Sequence, residues 1–183
     1  MCIRDSVPSL TFFDNSTRQE IDWQIQEQHI SFLVESGVHG IVLAGTNGEA
    51  ITLTRSEKAE LVRTARKAAI TGGKPSLQIT LGTSGTSTRD VIDDCITGNE
   101  AGADFALVLV PSFFHFAMSK DTICEFFEEV GDKSPLPVLI YNFPGVAAGL
   151  NVDSTMLERL AKHTNIVGVK VSYRIIKVLD DWH

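Results

Sequence analysis

The sequence predicts an α/β fold built on a parallel sheet, and three observations predict it. A short β-branched apolar run, a polar or glycine-rich loop and an amphipathic helix recur in that order along 183 residues. The apolar runs are continuous rather than alternating, which is the pattern of strands buried on both faces. The segments between them have the length of right-handed βαβ crossovers. Composition agrees: 43% hydrophobic and 21% charged residues suit a globular domain with a sizeable core, not a disordered chain.

The first strand is expected over residues 7–13. Thr17-Arg18-Gln19-Glu20 has the form of a capping box, which predicts a helix over 21–36 stopped by Gly37. Gly40-Ile41-Val42-Leu43-Ala44 is the second strand, and Gly45-Thr46-Asn47-Gly48-Glu49 follows it as a loop. A second capping box, Thr54-Arg55-Ser56-Glu57, opens a helix to about Ile70, broken by Gly72-Gly73-Lys74-Pro75. Residues 76–81 form the third strand, and a helix over 87–101 ends at Gly102. The fourth strand covers 104–110, closes on Pro111-Ser112-Phe113-Phe114 and precedes a helix over 120–130. The fifth strand, 137–141, leads through Asn142-Phe143-Pro144-Gly145 to a helix over 153–163. The sixth is Asn165-Ile166-Val167-Gly168-Val169-Lys170. Six strands alternating with five helices fit either a (β/α)8 barrel or an open doubly wound sheet. In both, working residues sit beyond the C-terminal ends of the strands.

Charge and composition exclude several functions. Sixteen Lys and Arg against 23 Asp and Glu give a formal net charge of -7, the wrong sign for sequence-independent nucleic-acid binding. No apolar run approaches the length of a membrane span. The three cysteines, Cys2, Cys95 and Cys124, are widely spaced and contain no CxxC pair, so neither a disulfide framework nor a structural zinc site is expected. The five histidines are scattered, without an i,i+4 ligand pair. A reducing cytoplasmic setting is the default. The first residues lack the apolar core of a signal peptide.

Three features at strand ends carry chemistry. Lys170 closes an apolar strand. Apolar neighbours around its stem favour the uncharged amine, which can attack a ketone and form a Schiff base. The plain alternative is a snorkelling cation. Tyr141 closes strand five, where a phenol can shuttle protons or simply keep its hydroxyl in water. The loop 45–49 offers two glycines, backbone amides and the side chains of Thr46 and Asn47 for a carboxylate or phosphate oxygen. It can equally be a turn that needs positive φ at glycine. It is neither a Walker A loop nor GxGxxG, and Gly82-Thr83-Ser84-Gly85 is too short for a nucleophile elbow.

With GTNGE at 45–49, YNFPGVAAG at 141–149 and GVK at 168–170, residues 7–170 resemble the dihydrodipicolinate synthase / N-acetylneuraminate lyase family of class I, pyruvate-dependent aldolases. The resemblance implies a TIM (β/α)8 barrel. It also implies that Lys170 is the Schiff-base lysine, that Tyr141 is the acid/base, and that Thr46 relays protons with that tyrosine. Asn47, with local amides, would hold the 2-oxo acid carboxylate. No metal or diffusible cofactor would be needed, and the parent protein would be a homo-oligomer, commonly a tetramer. Synthases of the lysine pathway resemble GTTGE, carry an arginine after the Tyr-Asn-x-Pro segment, and place a tyrosine after strand four. This sequence has Asn47, no cation over 145–149 and Phe113-Phe114 there. The resemblance is therefore closer to aldolases that cleave 4-hydroxy-2-oxoglutarate or a 2-keto-3-deoxy sugar acid to pyruvate and an aldehyde. The synthase reaction, pyruvate condensing with aspartate semialdehyde, is the alternative. An anion-binding module or an inactive barrel fragment is the alternative of another class.

Both ends depart from the pattern. Residues 1–6 resemble a translated adapter sequence and are expected to be a non-native leader. The barrel is expected to stop after strand six, short of the usual eight. Val171-Ser172 can be encoded by a splice-donor sequence, so 171–183 is expected to be a read-through tail.

Overall fold

A computed structural model describes residues 5–172. Most of the expected leader and nearly all of the expected tail lie outside the described residues. Six strands are linked by parallel ladders in the order β1-β2-β3-β4-β5-β6. Strand order equal to sequence order is the succession of a (β/α)8 barrel, whereas a doubly wound sheet reverses order at a switch point. The chain forms two compact units: residues 1–82 with 97–105, and residues 83–96 with 106–183.

In the first unit β1 (Ser6–Pro8), β2 (Gly40–Leu43) and β3 (Gln78–Thr83, whose last residue lies in the second unit) carry the sheet. Val7 is in register with Ile41, and Ile41 with Ile79. Helices α1 (Trp23–Glu35) and α2 (Arg55–Thr71) bury Ile30, Val62, Ala65 and Ala69 completely. The α2 capping box forms as predicted: Thr54 Oγ1 accepts from the Glu57 amide, and the Glu57 carboxylate accepts from the Thr54 amide. Arg66 anchors the base of the unit, donating to the carbonyls of Gly102, Pro75 and Leu77 and to Asp104, whose carboxylate also accepts from the Ile79 amide at 2.7 Å.

Two expectations fail here. The Thr17–Glu20 box does not cap α1. Phe13 bridges antiparallel to Ile21, the 14–20 segment is a closed loop, and Asp22 caps instead by accepting from the Ile25 amide. Strand one ends at Pro8, because residues 9–13 are drawn off toward α1. Gln26, fully buried, accepts from the Phe12 amide and donates to the Leu10 carbonyl.

In the second unit β4 (Phe105–Leu109, its first residue counted with the first unit), β5 (Val138–Asn142) and β6 (Ile166–Val171) pair in parallel. Helix α3 (Thr88–Ala101) contributes its first turns here. Helix α4 (Lys120–Lys133) and helix α5 (Ser154–Leu160) are capped by Ser119 and Asp153. The Arg159 guanidinium joins them with paired 2.7 Å bonds to Glu128. Phe127, Val130, Val138 and Leu160 are fully buried. Strand β6 departs from the two-sided burial expected of it. Ile166 is buried, but Val167, Val169 and Val171 are 50%, 42% and 39% exposed. Among the described residues no helix follows β6 to cover that face.

Candidate active site

Strand β5 brings Tyr141 to its C-terminal end, and β6 brings Lys170 to the same level. The register depends on one irregularity. Val138 pairs with Ile166, but Leu139 pairs with Gly168, so Val167 is an extra residue in the ladder. Counting on from Val138 without that shift would set Tyr141 opposite Val169. With it, Tyr141 pairs with Lys170, and partners in a parallel ladder point to the same face. Gly168 suits the bulge, since a Cβ there would come 3.1 Å from the Leu139 side chain.

The Lys170 Nζ therefore lies 4.6 Å from the centroid of the Tyr141 ring, within cation–π range. Tyr141 is 6% exposed, and Lys170 is half-buried. The Phe143 ring, two residues further along the chain, stands 5.9 Å from that of Tyr141 and is tilted 42° to it. An amine beside a buried aromatic ring, with a phenol on the same face, can add to a carbonyl and exchange protons during the addition.

Thr46 and Asn47 lie in the first unit, in the turn after β2, and both are exposed. The turn is not held by glycines at positive φ, as the plain reading expects. Ala44 and Glu49 take that conformation, at φ 48° and 54°. Gly48 is needed for a different reason: a Cβ there would sit 3.1 Å from the Ser9 carbonyl oxygen and 3.3 Å from the Ala44 nitrogen. The Thr11 hydroxyl donates to the Gly48 carbonyl at 2.7 Å. The amides of Gly48, Glu49 and Ala50 donate back to the carbonyls of Gly45 and Thr46. They are committed to the turn rather than offered to an anion.

Sequence reasoning assigned no role to Asn142. It is fully buried and makes three hydrogen bonds to the loop after β5. A polar residue ending an apolar run before a loop is the signal that could have singled it out, since a buried amide must find partners. Among the described residues no cluster of three His, Cys, Asp or Glu side chains is placed to hold a metal ion. Cys95 and Cys124 are buried free thiols. Among the described residues no helix is long and apolar enough to cross a membrane.

Comparison with known proteins bears on this arrangement. A protein of Coccidioides immitis (strain RS) carrying the name of a mitochondrial 4-hydroxy-2-oxoglutarate aldolase is 44% identical over 166 residues, covering 90% of this chain and 51% of that protein. An L-threo-3-deoxy-hexylosonate aldolase of Aspergillus niger is 40% identical over 164 residues, 89% of this chain and 49% of its own length. Among solved structures, the dihydrodipicolinate synthase of Acinetobacter baumannii complexed with pyruvate matches with a TM-score of 0.85 at 26% identity, over 97% of this chain and 58% of that one. The chain spans about half the length of the curated relatives it matches. The model of the dihydrodipicolinate synthetase family matches residues 5–180, and the chain belongs to that family.

Proposed function

We propose that this chain carries the Schiff-base part of a class I pyruvate aldolase, a carbon–carbon lyase that cleaves 4-hydroxy-2-oxoglutarate or a 2-keto-3-deoxy sugar acid to pyruvate and an aldehyde. The observation that carries the reading is the Lys170 nitrogen 4.6 Å from the Tyr141 ring centroid on one strand face. The names of the two fungal relatives support the lyase direction.

In this reading the Lys170 amine adds to the C2 carbonyl of the 2-oxo acid, and the carbinolamine loses water to give an imine. Tyr141 donates and recovers the protons of that addition and dehydration. A base then takes the C4 hydroxyl proton, the C3–C4 bond breaks, and its electron pair passes through C2 to the imine nitrogen as an enamine. The aldehyde departs, C3 is protonated, and water releases pyruvate and the free amine. Thr46 serves as proton relay, and Asn47 binds the carboxylate. The imine is the electron sink, so no metal or cofactor is required by this chemistry. The partners are a 2-oxo acid and an aldehyde; we assign the parent protein to the cytoplasm as a homo-oligomer.

The test is reduction with borohydride in the presence of pyruvate, read by mass spectrometry. One reduced pyruvate is expected on Lys170 and none in Lys170→Ala. Absence of adduct from the parent chain, or adduct persisting in Lys170→Ala, overturns the reading. A panel of 2-oxo acids assayed for pyruvate release then separates lyase substrates from the condensation with aspartate semialdehyde.

A further inference from the structure

We infer that Asn142 is the positioning residue that holds Tyr141 and Lys170 in register, acting through both of the segments that leave them. The inference rests on the Schiff-base reading above.

Successive residues of a strand point to opposite faces, so Asn142 points away from the face shared by Tyr141 and Lys170. It does not reach a substrate on that face. Its side chain is spent entirely on the protein. Nδ2 donates to Asn151 Oδ1 and to the Val152 carbonyl, both at 3.0 Å. Oδ1 accepts from the Val152 amide at 3.1 Å. Both amide hydrogens are used, and the group is 0% exposed. The two contacts to Val152 close a ring across the loop 143–151, which carries Phe143 against Tyr141. The backbone works on the opposite side: the Asn142 carbonyl accepts from the Ser172 amide at 3.1 Å, two residues beyond Lys170. The side chain thus ties down the chain that follows the phenol. By fixing the Asn142 backbone it also steadies the last rung of the β5–β6 ladder, the bond to the Ser172 amide beyond the amine.

The bulge at Val167 makes this tie necessary. A ladder that already slips by one residue at Val138/Leu139 has a competing register in which Tyr141 meets Val169. The pairing beyond the bulge holds only four residue pairs, Leu139↔Gly168 to Asn142↔Val171. A fixed end at Asn142 opposes slippage, and it sets the conformation of the loop whose Phe143 backs the phenol.

The experiment measures the rate at which pyruvate is trapped on Lys170 by borohydride, across pyruvate concentrations, in the full chain and in Asn142→Ala. Because the Tyr141–Lys170 geometry is at stake and the Thr46–Asn47 loop is untouched, the maximal rate is expected to fall about 10- to 100-fold, the scale of a ~1 Å misplacement. Half-saturating pyruvate is expected to stay within about 3-fold. A folded Asn142→Ala that keeps its maximal rate, or one that loses only affinity, overturns the inference. Should Asn142→Ala fail to fold, Asn151→Ala decides: it removes a single acceptor at an exposed position and is expected to slow trapping about 3- to 10-fold. An unchanged rate there counts against the inference. Should the parent chain capture no pyruvate, the Schiff-base reading fails by itself. Amide exchange then judges Asn142: faster exchange over 139–142 and 168–172 in Asn142→Ala sustains the positioning role, and unchanged exchange rejects it.

Discussion

Gly82→Ala tests how tightly the ends of β2 and β3 are pressed together. A Cβ at position 82 would lie 2.0 Å from the Ala44 carbonyl oxygen and 2.7 Å from its carbon. An ordinary close C···O approach is about 3.3 Å, so some 1.3 Å must be found. Both atoms in the way are backbone, and Ala44 has no slack. It is already at φ 48°, in the left-handed region that a side chain adopts only under strain. The four-pair β2–β3 ladder would have to part, or the turn carrying Thr46 and Asn47 would have to move. Overpacking of this kind costs about 3 kcal/mol or somewhat more, offset by roughly 0.5–1 kcal/mol from the stiffer unfolded chain. The net loss is about 2–3 kcal/mol, or a Tm lowered by roughly 5–10 °C for a chain of this size. Gly37→Ala is the control: its φ is +84°, but nothing lies within 4 Å of the added Cβ, so only the conformational cost of about 1 kcal/mol applies. Thermal and urea unfolding of the three proteins provide the comparison. A Gly82→Ala chain as stable as the parent, or a Gly37→Ala chain equally damaged, would refute the argument from contact.

Other groups give sharper solution signatures. Burial pushes the His29 imidazole below its ordinary 6.5, and its Nε2 has no hydrogen-bond partner. The unfolded chain therefore takes up the proton first. The stability contributed by this group is complete above pH 6.5 and is lost as pH falls through the lower folded value. His29→Leu should flatten the fall in urea midpoint between pH 7.5 and 5.5, and an unchanged slope would assign it elsewhere. Burial, reinforced by the Asp94 charge, pushes the Cys95 thiol up to about 11, and burial raises Cys124 as well. Alkylation at pH 8, mapped by mass spectrometry, should reach both only after unfolding; rapid modification of the native chain would contradict it.

The alternation of strands and helices was legible because it depends on local patterning, and the Thr54–Glu57 box folded as written because nothing distant competes with it. The Thr17–Glu20 box has equally good residues. It fails because Phe13 and Ile21 pair across the loop, and a local signal cannot see that bridge. Strand one was overextended for a related reason. Residues 9–13 read as apolar and β-branched, but Gln26, thirteen residues further on, takes the hydrogen bonds that a neighbouring strand would have supplied. Positive φ in the 45–49 region was assigned to glycine by conformational preference. The structure puts it on Ala44 and Glu49, and uses Gly48 for close approach instead. Which glycine serves which purpose depends on what packs against it.

The candidate site divides along the same line. Lys170 and Tyr141 could be chosen from sequence because a polar group ending an apolar strand is conspicuous. Their pairing could not be chosen, since it depends on an extra residue at Val167. A one-residue shift in a parallel ladder turns a side chain to the other face. An ideal ladder from Val138 and Ile166 would point Lys170 away from the phenol, and the bulge restores it. Asn142 is the residue best placed to keep that register: its amide holds the loop beyond Tyr141, and its carbonyl holds the amide of Ser172 beyond Lys170. Because Val167 is the extra residue, deleting it leaves Ile166, Gly168, Val169 and Lys170 opposite Val138, Leu139, Ile140 and Tyr141 in a regular ladder. The Lys170 amine is therefore expected to stay on the phenol's face and pyruvate trapping to survive. Loss of trapping in a folded deletion variant would refute the reading of Val167 as a bulge.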